Sequence, residues 1–141
     1  MILDGLEKSK MCIEVFVQVL QSDGSVLGAA VAGASLALAD AGVGMKDLVC
    51  GSSAAVMRVE LEGNEDVKYV SVADPTEEEI LEACGVVTVA MMPNWKEITV
   101  WDQFGKMPIE SSSEAMELAR DGCLTMHRFL KNCMNPGTVK T

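Results

Sequence analysis

From Gly24 to Ala39 the chain runs without a single charge, and Gly, Ala and Ser dominate the stretch. A run of this kind has few homes. It is about two residues short of the roughly 18 that a membrane-spanning helix needs, and Asp23 and Asp40 close it at both ends. The segment therefore reads as a buried helix. Ser25 stands at the N-cap position, the helix reaches about Ala41, and Gly42 serves as the residue just past its end. Glycine inside a helix costs roughly 0.5–1 kcal/mol relative to alanine, so Gly28 and Gly33 call for a reason. Close approach of the helix to a sheet or to another helix supplies one, with Val26, Leu27, Val31, Leu36 and Leu38 filling the remaining volume.

Composition agrees with such packing. Hydrophobic residues make up 49% of the 141 but aromatics only 4%, so the core is built from Val, Ala, Leu, Ile and Met. The length suits one domain, 1–141, with 1–10 as a lead-in and 135–141 as a tail, burying about two thirds of its unfolded surface. A mean hydropathy of +0.23 is high for a soluble chain this short, and implies either an unusually dry core or apolar surface meant for a partner. In Cys12–Gln21, Ile13, Val15, Val17 and Val19 alternate with Glu14, Phe16, Gln18 and Leu20, the period of a strand. Asp47–Met57 and Val67–Ala73 read as two more, joined by the acidic turn Glu62-Gly63-Asn64-Glu65-Asp66. Pro75–Glu82 forms an acidic helical turn. Val86–Met92 is a fully buried strand, and Asn94-Trp95-Lys96 turns it into the strand Glu97–Gln103. Ser111-x-x-Glu114 is a candidate capping box for a last helix, with Lys131 in its final turn and Asn135-Pro136-Gly137 as its stop. The expected order is β-α-β-β-β-β-α, an α+β fold with a mixed sheet packed against two main helices.

Charge and motifs exclude more than they identify. A net charge of −10 with no basic tract repels a polyanion, so any work on RNA falls to an assembly that supplies positive charge. The five cysteines are scattered, and His127 is the only histidine. That set reads as buried, reduced thiols, with neither a zinc site nor a disulfide framework. Asp4, Glu7, Lys8 and Lys10 interrupt any signal-peptide run. No phosphate-binding glycine loop, zinc-protease helix or nucleophile elbow is present. His127 reads as a polar residue at a helix edge, with no nucleophile identifiable beside it. Asp74, Glu77, Glu78 and Glu79 could hold a divalent cation, but a solvated acidic turn is the plainer reading. Cys84 and Met91-Met92 read as core.

One combination goes further. The strand Cys12–Gln21, then Ser22-Asp23-Gly24-Ser25, then S-L-A-L-A-D-A-G-V-G-M-K-D-L-V from Ser35 to Val49 resembles the ribonuclease PH family, in particular its exosome branch. The similarity continues through Asp74-Pro75-Thr76, T-V-A-M-M-P from Thr88 to Pro93, and Glu114-Ala115 to Gly122-Cys123. It spans about Glu7 to Met134. The resemblance implies a ribonuclease-PH-like second half, Met1 falling just before the strand that opens it. It also implies ring partners of the same kind, cap subunits, RNA met only through the complex, no cofactor and no metal. The implied location is the nucleus and nucleolus, also the cytoplasm, with no membrane.

Active relatives carry a phosphate-binding G-G-T-R where this chain has Gly24-Ser25-Val26-Leu27, so leucine stands in the arginine's place. They also carry two aspartates six residues apart. Here Asp74 matches the first, a relic at most, and Ile80 falls at the second. The resemblance thus implies a kept scaffold without its catalytic residues, a structural ring subunit supporting 3′-to-5′ RNA processing and degradation. Two other readings were weighed: a phosphate-dependent 3′-to-5′ exoribonuclease, against which Leu27 and Ile80 speak, and a generic binding module sharing only the fold.

Overall fold

The computed structural model describes residues 12–60 and 67–134. Four strands form one sheet in the order β2-β1-β3-β4, from β1 (Cys50–Glu60), β2 (Val67–Ala73), β3 (Gly85–Met92) and β4 (Glu97–Gly105). Helices α1 (Val26–Asp40), α2 (Glu77–Glu82) and α3 (Ile109–Met134) complete the fold. The α+β class and the four strands after the first helix are as expected. Two particulars differ. Every ladder is antiparallel, so the sheet among the described residues is not mixed. The segment 12–21, expected as a strand, has no regular secondary structure, bends at Leu20 and joins no ladder among the described residues. Alternation specifies two faces, yet a strand needs a neighbour's backbone to complete it. Residues 1–10, the turn 62–66 and the tail 135–141 lie outside the described residues.

The central pair carries the core. Every residue of β3 is buried, which a β-branched run between two neighbours and two covering layers requires. On β1, neighbouring residues point to opposite faces, and each helix takes one of them. A Cβ on Gly51 would lie 2.7 Å from the Gly28 Cα of α1, and one on Gly28 would lie 3.1 Å from the Gly51 carbonyl carbon. On the other face, a Cβ on Gly122 of α3 would collide with the Ser52 hydroxyl. The close approach expected of α1 therefore accounts for Gly28. It does not account for Gly33, which has open space around its Cβ position. Cys50, Ala54, Val56, Val87, Val89, Ala115, Ala119 and Cys123 fill the main core, nearly all of them small.

Helix ends show where local signals held. Val43 N–H donates to the Leu38 carbonyl and Gly42 N–H to Ala39, both at 3.0 Å, with Gly42 at φ +73. This is a Schellman ending, and only glycine takes that backbone without strain. Ser25 occupies the N-cap position of α1, but its hydroxyl makes no capping bond. The capping box expected at Ser111 is absent. α3 starts earlier, at Ile109, and Ser111 is buried inside it. A capping box forms instead at α2, where Thr76 Oγ1 accepts from Glu79 N–H at 3.3 Å and Glu79 Oε2 accepts from Thr76 N–H at 2.8 Å.

The two glycines of α1 should respond oppositely to alanine. Gly51→Ala, or Gly28→Ala facing it, forces two backbones apart and should cost about 1–3 kcal/mol. Gly33→Ala fills open space in a helix and should stabilise by about 0.5–1 kcal/mol. Denaturant midpoints of the single variants check both, and a neutral Gly51→Ala would contradict the tight contact.

Candidate functional site

The α1 N-terminus is built by a loop folded onto the turn that precedes α2. Gly24 lies against the Pro75 carbonyl, leaving no room for a side chain there. Asp23 Oδ1 accepts the Glu77 N–H at 3.2 Å. These contacts bring Asp74 beside Ser25 and Val26, at the mouth of a groove of about 680 Å³. The segment 15–21 forms one wall, and the small residues Ala29, Ala30, Gly33, Ala34 and Ala37 of α1 form another.

Of the residues singled out in the sequence, the structure thus joins Val26 to Asp74. Leu27 is 43% exposed and points away from the groove, and Ile80 sits half-buried on α2. Among the described residues the groove's wall holds two carboxylates, Asp23 and Asp74, and no Lys or Arg. Asp74 is in the left-handed backbone region at φ +50, pinned by its N–H to the Ser53 carbonyl at 2.9 Å. The acidic turn is spoken for locally: Glu79 closes the capping box and the Glu77 N–H takes Asp23. Among the described residues no group of three or more His, Cys, Asp or Glu is placed to hold a metal ion.

A second cluster was not legible in the sequence. His127 is not at a helix edge: it is buried on α3, with Nε2 3.8 Å from Asp47 Oδ1 and without a hydrogen-bond partner. Asp47 is buried too. Its carboxylate accepts from Leu48 N–H at 2.9 Å and from both the backbone and side-chain amides of Asn94 at 2.8 Å. Burial lowers the imidazole's pKa and the Lys131 ammonium lowers it further, against a raising influence from Asp47.

The cysteines divide. Cys50 and Cys123 are buried, whereas Cys12 and Cys133 are exposed and Cys84 is intermediate, so the reading of five buried thiols holds for two and fails for two. Burial, then Asp47, pushes Cys50 up to about 11. Burial, then Cys50, pushes Cys123 up to about 12, against a lowering influence from the backbone of Ser52 and Cys123, and its thiol donates to the Val89 carbonyl at 3.4 Å. Met91 and Met92 are core, as read.

Residues 2–44 match the sequence model of the "3' exoribonuclease family, domain 1". The domain name and the half suggested by the motifs differ for these residues. The chain is 35% identical over 131 residues to an exosome complex component Rrp41 of Pyrococcus furiosus, covering 93% of this chain and 48% of the relative. It is 31% identical over 127 residues to an exosome complex component RRP41 homolog of Arabidopsis thaliana, covering 89% and 48%. The crystal structure of rice Rrp46 superposes with a TM-score of 0.68 at 19% identity, covering 84% of this chain and 52% of that one. The chain spans about half the length of the curated relatives it matches. Its fold is ribonuclease-PH-like. Its sequence is similar, over about nine-tenths of its length, to exosome components of the Rrp41 type.

Thiol reactivity checks this burial. Cys12 and Cys133 should alkylate promptly at pH 8, while Cys50 and Cys123 should react at least about two powers of ten more slowly than a free cysteine until the chain unfolds. Peptide mass spectrometry after timed iodoacetamide labelling reads the order, and early labelling of Cys123 would contradict the packing of α3 on β1.

Proposed function

We propose that the chain is a non-catalytic structural subunit of an RNA exosome ring, supporting 3′-to-5′ RNA processing and degradation by the complex. The observation that carries this reading is the electrostatics at the α1 N-terminus. Phosphorolysis needs inorganic phosphate held by donors and positive charge in line with the scissile linkage. Here that end of α1 opens on a groove that, among the described residues, has Asp23 and Asp74 and no cationic side chain. Val26 and Leu27 offer apolar side chains where active relatives have a phosphate-binding arginine, and Ile80 replaces the second acidic position. Losing one charge-assisted contact of this kind costs about 3 kcal/mol, or roughly two powers of ten in rate.

The exposed apolar surface supports a partner-bound role. Phe16 and Leu20 of segment 12–21 are nearly fully exposed, and Ile98, Trp101 and Phe104 of the edge strand β4 are about half exposed. In this proposal other ribonuclease-PH-like subunits and cap subunits cover such surface, and RNA is met only through the assembly. Among the described residues no helix is long and apolar enough to cross a membrane. The Asp74-Pro75-Thr76 turn and the T-V-A-M-M-P strand favour exosome component six, the messenger-RNA-transport-regulator type, as the particular subunit. Such a subunit works in the nucleus and nucleolus, also in the cytoplasm.

Incubated with single-stranded RNA and phosphate, the chain should release no nucleoside diphosphates. The double change Leu27→Arg and Ile80→Asp should not suffice to restore release, because Leu27 does not line the groove and an arginine there starts outside it. Robust phosphate-dependent release by the unmodified chain, free of partners, would sink the non-catalytic reading in favour of a phosphorolytic exoribonuclease. Sedimentation should show self-association or, with partners present, a mixed complex. A sharp monomer that binds no hydrophobic dye would count against the partner-bound role.

A further inference from the structure

We propose that His127, Asp47 and Asn94 form a proton-operated catch that holds the C-terminal part of α3 against the β3–β4 turn, closed while the imidazole is neutral and released when it takes a proton.

Three elements meet at this point. The loop before β1 contributes Asp47, the β3–β4 turn contributes Asn94, and α3 contributes His127 and, one turn later, Lys131. Asp47 binds the turn to the loop through the two hydrogen bonds it accepts from Asn94, and a third, from Leu48 N–H, orients its carboxylate within the loop. Lys131 Nζ reaches Asn94 Oδ1 at 3.5 Å, so α3 touches the same asparagine from the other side. Trp95, next in the turn, donates its Nε1–H to the Lys46 carbonyl at 3.3 Å and adds a second tie from the turn to the loop.

A proton on Nε2 has nowhere to go in the closed arrangement. Among the described residues Nε2 has no hydrogen-bond partner; Asp47 Oδ1 lies 3.8 Å away, beyond hydrogen-bonding distance, and that oxygen already takes Leu48 N–H and the Asn94 side-chain amide. An imidazolium here would be buried without a hydrogen bond, and such a group is costly to keep. Two charged groups face it. Asp47 attracts the proton and Lys131 repels it. Cys50 and Cys123, the nearby buried thiols, stay neutral across the working range. Solvent serves the imidazolium better, so taking the proton moves the α3 end outward.

The sign follows from linkage. The closed form holds the imidazole's pKa below the free value of 6.5. Its stabilising effect is therefore full above about 6.5 and is lost as the pH falls below it, since the open form binds the proton more tightly. One proton allows the ratio of closed to open to fall by at most about tenfold per pH unit, until the closed form itself titrates.

His127 is the only histidine, so its ring proton signal in NMR reports the site without ambiguity. Amide exchange across 124–134 and at Asn94, corrected for intrinsic rates, should rise between pH 7.5 and pH 5 in the full chain. In His127→Gln that rise should flatten, because glutamine cannot take the proton. Lys131→Gln, a change on an exposed side chain, keeps the test alive should His127→Gln fail to fold. It should move the imidazole midpoint upward toward the free value and so reduce the rise in exchange below it. An imidazole that titrates at or above 6.5 in the unmodified chain would overturn the catch. So would a Lys131→Gln midpoint that fails to rise, or pH-dependent exchange unchanged in His127→Gln.

Discussion

The fold depends on how closely two helices can approach one strand. On β1, Gly51 and Ser52 face opposite ways, and each is met by a glycine of a different helix: Gly28 of α1 and Gly122 of α3. Backbone against backbone leaves no volume for large side chains. That explains why the core can be made of Ala, Val, Cys and Ser with almost no aromatic residue. Dispersion attraction falls off steeply with a gap of even 1 Å, so a core of small residues is stable only when its layers touch. The tightness of these contacts replaces the area that Phe or Leu would have buried.

That economy inside leaves the larger apolar groups outside. Phe16, Leu20, Trp95, Trp101, Phe104 and Phe129 are all exposed, and the five aromatics among them are every Phe and Trp of the chain; only Tyr69 is partly buried. A single exposed apolar side chain needs no account, but large ones concentrated on an unladdered segment and an edge strand do. The positive mean hydropathy is thus a property of the surface as much as of the core. Backbone along 12–21 adds amide groups that form no ladder among the described residues, and such groups pair readily with another strand.

How far the sequence could be read depended on the range of each interaction. The ending of α1 was legible because a Schellman motif involves six consecutive residues, and Gly42 alone carries the left-handed backbone. β3 was legible because burial on both faces writes an uninterrupted apolar run. The first strand was only half legible: alternation marks two faces along Cys12–Gln21, but the ladder depends on residues elsewhere. Two capping patterns of the same form were present, and the real one is at Thr76. Ser111 failed because Pro108 already begins the turn, its carbonyl accepting Ser112 N–H at 2.9 Å, which carries Ser111 into the helix and into the core. His127 was misplaced for the most physical of reasons. Its neighbour is a carboxylate eighty positions away, and nothing in the local sequence announces it.

In the proposed reading, Asp74 is kept by the fold rather than by chemistry. Its backbone is left-handed, a conformation that most side chains resist by about 1–2 kcal/mol and that aspartate tolerates better than most. Its N–H ties the end of β2 to the Ser53 carbonyl of β1, and the residues after it, Pro75 and Thr76, set the seat for Gly24 and the cap of α2. Substituting a β-branched residue there would strain the turn and disturb the loop that starts α1. Ile80 carries no such duty. It occupies the middle of a short helix where backbone geometry is ordinary, so an apolar side chain can replace an acidic one without moving the scaffold. The two positions of one pattern therefore stand under different constraints. The one that still matches is the one the fold itself needs, and its presence says little about whether phosphate was ever held nearby.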